Sequence, residues 1–379
     1  MLTDYQELHA LHRSRNTVVV RAVAGDGTRV ILKALNRDEP AAAELARFRR
    51  EYEIARGLHD PGIVEVREFS RINGRWCLVM GDDEAVTLGD VLQGVAFPVA
   101  DAVGVALALV RILRTIHRAG IVHKDVNPDN IVWNRAGGTL RLIDFGLAVQ
   151  AGRESAAAGA VPVLEGTLGY LAPEQTGRMN RAVDFRADFY ALGATLYQLL
   201  TGVLPFSFTD AAEAVHAHLA RLPLPPHQRQ PSVPERLSAI VMRLLAKAPE
   251  DRYQSHEALT ADLAAVQADL CRNGVTPALA IAARDVPDHF RMPLRVYGRE
   301  SELAALERAL ERAAAGQPQL ALVGGASGIG KTALIRELIQ RNLGRLSLVV
   351  TGRCDATHRQ QPYAAFIDAL RHWLDQVLA

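Results

Sequence analysis

The hydrophobic pattern of this chain changes period once, near Val99, and that change limits the folds open to it. Before it, Val18–Val23 and Arg29–Leu35 are β-rich runs flanking Asp26-Gly27, a tight-turn pair. Val64–Ile72 and Arg75–Met80 flank Asn73-Gly74, a strong hairpin signal. Between the two hairpins a charged amphipathic helix is expected over Ala41–Leu58. From Val99 the apolar spacing becomes helical, through Val103, Leu107, Val110 and Leu113, and stays so to about Leu270. Strands first and helices afterwards predict two lobes with a cleft between them.

Charge and cysteine content narrow the partners. Forty-three basic and 42 acidic side chains leave a formal net charge of +1, which excludes attachment to nucleic acid or anionic lipid by bulk charge. Cys77, Cys271 and Cys354 lie far apart, with neither disulfide nor zinc spacing, which fits a reducing, cytoplasmic setting. Asp4 and Glu7 interrupt the start, so no secretory signal is expected. Tyr190–Thr209 carries no charge over twenty positions, but Gln198, Thr201, Gly202 and Pro205 mark it as a buried helix ending in a turn, and no membrane segment is expected.

Residues 1–270 are expected as one domain, with a strand-rich lobe to about residue 80 and a helical lobe over about 84–270. Residues 271–295, with Gly274, Pro277, Pro287 and Pro293, read as a linker. Residues 296–379 open a further unit with a predicted helix (Glu300–Ala315), an apolar strand (Gln319–Val323), a Gly-rich loop and a second helix (Ala333–Arg341). Only four of the 43 basic residues are Lys: Lys33, Lys124, Lys247 and Lys331. A chain that otherwise uses Arg keeps Lys where a compact ammonium is needed.

The chemistry concentrates in His123-Lys124-Asp125-Val126-Asn127-Pro128-Asp129-Asn130 and, beyond a short hairpin, Ile143-Asp144-Phe145-Gly146. Phosphoryl transfer needs a carboxylate to orient the attacking hydroxyl and oxygen ligands for Mg²⁺. In this spacing the segment resembles the protein kinases, matching their H-R-D-x-x-x-x-N and D-F-G elements. The resemblance implies an α+β bilobal kinase-like fold, with Asp125 orienting the acceptor hydroxyl and Asn130 and Asp144 holding Mg²⁺. It places Lys33, in Val30-Ile31-Leu32-Lys33, on the ATP phosphates, with Glu51 as its ion-pair partner and Glu53 as the fallback. Met80 would end the fifth strand, and Gly81–Asp83, with Asp82 among them, would face adenine. Gly166–Glu174 resembles the end of an activation segment, Asp188 the acid that braces the catalytic loop, and Arg252 the partner of Glu174.

Three departures stand out. Leu11–Val20 contains no glycine, so Ser14, Arg15 and Asn16 must shape the phosphate loop, and weaker nucleotide binding is expected. Asn127 stands where many Ser/Thr kinases carry a phosphate-touching Lys, which should lower transition-state stabilisation. Lys124 replaces the Arg before the catalytic Asp and offers no bidentate fork, so activity is expected to depend little on phosphorylation at Ser155 or Thr167.

Gly325-Ala326-Ser327-Gly328-Ile329-Gly330-Lys331-Thr332 matches G-x-x-x-x-G-K-[ST] in full. Backbone N–H groups around Gly325, Gly328 and Gly330 would cradle phosphates, Lys331 would reach the β/γ oxygens and Thr332 would ligate Mg²⁺. With Gly298-Arg299-Glu300 upstream, this part resembles AAA-like signal-transduction ATPases. Leu346–Ala379 shows no strand ending in an acidic Walker B element, so an incomplete α/β P-loop domain is expected, in a piece of a longer chain. The order of parts resembles the N-terminal region of bacterial hybrid signalling proteins, which implies sensor and histidine kinase modules beyond.

The expected function is an ATP- and Mg²⁺-dependent Ser/Thr protein kinase acting on protein hydroxyls, joined to a second ATP-binding module. One alternative is a kinase-like nucleotide-binding scaffold that regulates attached modules. A small-molecule kinase shares the Asp/Asn/Asp core, but the Gly-Thr…Ala-Pro-Glu segment favours protein substrates.

Overall fold

The computed structural model describes residues 5–14, 16–135, 137–150, 165–179, 182–272, 281–283, 285–286, 298–326, 329–342, 349–350, 363, 367 and 369–370. The chain divides into two compact units, one holding the described residues up to Val286 and one holding those from Gly298 onward.

The first unit opens with strands β1 (Gln6–Arg13), β2 (Thr17–Val23) and β3 (Arg29–Leu35), then helix α1 (Ala42–Arg56), then β4 (Val66–Ile72) and β5 (Arg75–Gly81). They form one antiparallel sheet in the order β1-β2-β3-β5-β4. Alternation sorts the side chains of β3. Val30, Leu32 and Ala34 join Val18, Val20, Ala22, Cys77 and Val79 in a small apolar cluster on one face. The intervening Ile31, Lys33 and Leu35 therefore face the other side, where Leu78 and Met80 belong to the main core. Helix α1 buries Phe48, Glu51 and Ala55, a single stripe of the helix. Period-2 and period-3.6 patterns thus aim Lys33 and Glu51 at one another.

In the glycine-free segment β1 pairs with β2 from Arg13 opposite Val18. One outcome differs from the sequence expectation: the β5 ladder runs one residue past Met80, with Gly81 opposite Val30.

Next come β6 (Val86–Thr87), α2 (Leu88–Leu92), α3 (Val99–Arg118), β7 (Ile121–Val122), β8 (Ile131–Asn134), β9 (Thr139–Leu142) and β10 (Val149–Gln150). The helical lobe continues with α4 (Arg186–Thr201), α5 (Ala211–Ala220), α6 (Pro226–Arg229), α7 (Glu235–Leu244) and α8 (His256–Arg272). Helix α4 is buried on every side, and the uncharged stretch leaves it at Gly202 (φ 75°) for a turn. Among the described residues no helix is long and apolar enough to cross a membrane. Cys77 and Cys271 are free thiols; Cys354 lies outside the described residues.

The expected linker is partly built into this lobe. The Asp285 carboxylate accepts from the amides of Gln254 (2.9 Å) and Ser255 (3.0 Å) and from the Ser255 hydroxyl (3.0 Å), just ahead of α8. Arg243 pairs with it from α7 at 3.3 Å. Asp285→Ala is expected to lower the unfolding free energy of the intact chain by about 1–3 kcal/mol in a urea titration, since buried donors lose their acceptor.

In the second unit α9 (Glu300–Ala314) and α10 (Lys331–Arg341) form as expected, but Gln319–Val323 is not a strand. Leu320 and Leu322 are 87% and 88% exposed, and no strand among the described residues pairs with that segment. Apolar composition alone does not make a strand, which needs a ladder to satisfy its backbone.

Candidate active site

Lys33 Nζ donates to Glu51 Oε1 at 2.7 Å and Oε2 at 3.0 Å, and lies 3.0 Å from Asp144 Oδ1. Glu53, the fallback partner, instead pairs with Arg49 on the exposed side of α1. Burial opposes the Lys33 ammonium, but the Glu51 and Asp144 carboxylates outweigh it and hold its pKa above the ordinary lysine value. Burial pushes Glu51 up, against the pull of Lys33. Burial also works on Asp144, yet Lys33 and the Gly146 amide keep that carboxyl below its usual range. Phe145 is buried against His123, ring centroids 4.9 Å apart, which turns Asp144 toward Lys33.

The segment from His123 to Asn130 is shaped by Asp188 of α4, whose carboxylate accepts from two successive amides, His123 and Lys124, both at 2.8 Å. Directing neighbouring N–H groups at one acceptor bends the chain, and Lys124 takes φ +71°. Burial would lift the Asp188 carboxyl, but the His117 ring nitrogen at 2.7 Å and the loop amides hold it low. Within the loop, Asp125 Oδ2 accepts from Asn130 Nδ2 at 2.8 Å, and Oδ1 accepts from the Thr167 amide at 2.8 Å. Gly166 makes that approach possible: its φ is +115°, and a Cβ there would lie 3.2 Å from Leu171.

Asn127 turns inward. Its Oδ1 accepts from the amides of Asp129 and Asn130, and its Nδ2 donates to Thr167 Oγ1 at 3.0 Å. It caps the short turn Pro128–Asn130 and ties it to the activation segment. The Ile143 amide donates to the Asn130 carbonyl at 2.9 Å, which sets Asp144 beside Asn130. The Asn130 amide nitrogen is spent on Asp125, leaving its oxygen to face outward, while Lys33 and Gly146 both engage Oδ1 of Asp144. An amide oxygen beside a partly exposed carboxylate fits Mg²⁺, which takes few protein oxygens and completes its shell with phosphate and water.

At the far end of the activation segment, Arg252 grips Glu174 in a fork, Nη1–Oε1 2.6 Å and Nη2–Oε2 2.8 Å. At the end of β5, Met80 is buried, and the Asp82 carboxylate is held by Arg21 Nε of β2 at 2.6 Å. In the β1–β2 turn the Ser14 amide donates to the Thr17 carbonyl (2.9 Å), and the Asn16 and Thr17 amides donate to Ser14 Oγ. The described amides of this turn are thus engaged within it, and Arg15 lies outside the described residues.

In the second unit, Gly330 (φ +93°) precedes α10, which begins at Lys331-Thr332. Lys331 Nζ donates to the carbonyls of Gly325 (2.9 Å) and Ala326 (2.8 Å), so its ammonium lies over the loop. Ser155, Gly328 and, within the segment searched for an acidic strand, all residues but 349–350, 363, 367 and 369–370 lie outside the described residues.

Sequence reasoning missed the partners that come from far along the chain. Arg47 of α1 donates to the Gly146 carbonyl (3.1 Å) and to Glu165 (2.9 Å), and Gln175 Nε2 holds the Lys124 carbonyl (2.8 Å). Nothing in their local pattern distinguishes them from surface side chains. His218 is a further case: its ring joins the Tyr190 hydroxyl to the Leu168 carbonyl, both at 2.8 Å. Burial, with Lys247 adding to it, lowers its pKa to about 4, and burial beside His117 lowers His256 to about 3. Both rings stay neutral in the fold while the unfolded chain takes up protons near pH 6.5. Their contribution to stability is therefore complete above pH 6.5 and drains away as pH falls, toward about 4 for His218 and about 3 for His256. Urea titrations at pH 7.5 and pH 5 are expected to differ by about 2 kcal/mol for each histidine, and His218→Gln to remove about half of that difference.

The family described as "Protein kinase domain" matches residues 5–263, and that described as "AAA ATPase domain" matches residues 295–379. Serine/threonine-protein kinase Pkn1 of Myxococcus xanthus is 35% identical over 287 residues, covering 75% of this chain and 38% of that protein. Serine/threonine-protein kinase PknB of Mycobacterium leprae is 34% identical over 222 residues, 57% of this chain and 35% of its own length. Hybrid signal transduction histidine kinase G of Dictyostelium discoideum is 32% identical over 230 residues, 55% of this chain and 7% of its own. The chain thus spans well under half the length of these curated relatives.

Proposed function

The chain belongs to the protein kinase family, and from that premise we propose that it transfers the γ-phosphoryl group of ATP to Ser or Thr hydroxyls of protein substrates. One observation carries this reading: Lys33, Glu51 and Asp144 are joined, and Asp125 and Asn130 are joined beside them. Lys33, steadied by Glu51, binds the α/β phosphates. Asp125 orients the acceptor hydroxyl and takes its proton as the new P–O bond forms. Asn130 and Asp144 hold Mg²⁺, which neutralises charge on the phosphates when bound. Backbone along Gly81–Asp83, beside Met80, receives the adenine, with Asp82 held to β2. Gly325, Gly328, Gly330, Lys331 and Thr332 form a second ATP site in the AAA-type part.

A second reading, a nucleotide-binding scaffold that regulates attached modules, is favoured by the β1–β2 turn, whose described amides are already engaged. The kinship with a hybrid histidine kinase supports sensor modules in the full-length protein, working in a cytoplasmic signalling pathway. Incubating the chain with γ-labelled ATP, Mg²⁺ and a generic acceptor protein separates the two readings. Label on acceptor Ser or Thr, absent with Asp125→Ala, supports the kinase. ATP binding without any label on the acceptor supports the scaffold.

A further inference from the structure

Just ahead of the loop that meets Asp125, one carboxylate reaches two basic groups that frame the site. Glu165 Oε1 accepts from Arg47 Nη2 of α1 at 2.9 Å, and its Oε2 lies 3.7 Å from Lys124 Nζ in the catalytic loop. Arg47 is itself anchored, since its Nε donates to the Gly146 carbonyl at 3.1 Å. Three separate segments are therefore tied together through Glu165 and its partner Arg47. They are the helix that carries Glu51, the turn that carries Asp144, and the loop that carries Asp125. The Lys124 side chain is only 9% exposed, and an ammonium so placed gains from an anion beside it.

The next two residues transmit the placement. Gly166 turns the chain, and the Thr167 amide and hydroxyl engage Asp125 and Asn127. A phosphoryl group on Thr167 would displace the Asn127 bond and bring negative charge against Asp125. An added phosphate at that residue would disturb the site, whereas Glu165 already supplies negative charge between Arg47 and Lys124.

We propose that Glu165 is a positioning residue, a built-in anion that joins Arg47 and Lys124 and aligns the activation segment without phosphorylation. This rests on the kinase reading. The site then works from its first turnover, and its rate is set by a genetically encoded charge.

The test uses the intact chain, treated with phosphatase and shown by mass spectrometry to carry no phosphate. Single-turnover and steady-state transfer to a generic acceptor are then measured. The unphosphorylated chain is expected to transfer without a lag. Glu165→Gln is expected to lower kcat roughly 10–100-fold, the cost of a misplaced reacting group, with KM for ATP much less affected and the melting temperature kept. Arg47→Gln should give a similar loss, and the double variant little more, because both act through one contact. Glu165→Asp, which keeps the charge, should fall between Glu165→Gln and the wild type. Wild-type kcat in Glu165→Gln, strictly multiplicative losses in the double variant, or a lag that ends only as phosphate is incorporated would each overturn the proposal. A wild-type chain that transfers nothing, phosphorylated or not, overturns the kinase reading and this proposal with it.

Discussion

Asp125→Asn is expected to lower phosphoryl transfer by about 10³-fold, the scale of removing a general base, with only a small change in melting temperature. The geometry makes this variant informative. Asp125 meets two donors, the Thr167 amide on Oδ1 and the Asn130 amide on Oδ2. An asparagine keeps an acceptor for one of them and turns a donor toward the other, which costs about 1 kcal/mol and not the fold. The shape of the loop does not depend on Asp125, because Asp188 holds the His123 and Lys124 amides and Asn127 caps the turn at Pro128–Asn130. Loss of transfer with melting preserved would assign the chemistry to that carboxylate. A variant that keeps more than about a tenth of the wild-type rate would remove it from the base role.

The largest stability effect is expected at Glu174. Arg252 is fully buried and spends all five of its N–H donors. Two go to Glu174, and one each to the carbonyls of Arg186 (2.8 Å), Ala246 (2.8 Å) and Lys247 (3.1 Å). The guanidinium also stacks over Tyr190, 4.9 Å from the ring centroid. Glu174→Ala removes the one anion and leaves a cation in a closed interior, at a cost of about 3–5 kcal/mol. Differential scanning calorimetry should place the melting transition of the first unit roughly 10 °C lower. Arg252→Lys is expected to come close to the same loss, since three donors on a point charge cannot replace a five-donor fork. A shift under about 2 °C for Glu174→Ala would mean that water reaches the pair.

Much of the site was legible because short motifs in a fixed order carry it. The kinase resemblance pairs Lys33 with Glu51 and keeps Glu53 as the fallback; the alternation of β3 and the buried stripe of α1, which carries Glu51, explain why those two meet. The pairing of Glu174 with Arg252 came from motif order rather than periodicity, since 78 residues separate the two. What stayed hidden had no local signature. β1 is exposed at every position, so it shows no alternation of buried and exposed residues; only pairing with β2 makes it a strand. Gln319–Val323 is the converse, apolar enough to suggest a strand and with no pairing strand among the described residues. Arg47 and Glu165 are ordinary surface charges until the fold brings them together across 118 residues. Asn127 reads as standing where a phosphate-touching Lys would be, and the structure adds that it caps its own turn.

The latch at Asp285 bears on where this kinase ends. The family match stops at residue 263, inside α8, which continues to Arg272 and buries Val266. Beyond it, the Ala282 amide donates to Asp262 at 2.7 Å, and Ile281 and Ala282 pack against the core. A domain excised at the edge of the family match would therefore lose half a helix together with the acceptor for the Gln254 and Ser255 amides. Those amides lie two and three residues past Arg252, so careless trimming at the C-terminal edge would loosen the partner of Glu174. The cut that preserves the catalytic unit falls after Val286, more than twenty residues past the family boundary.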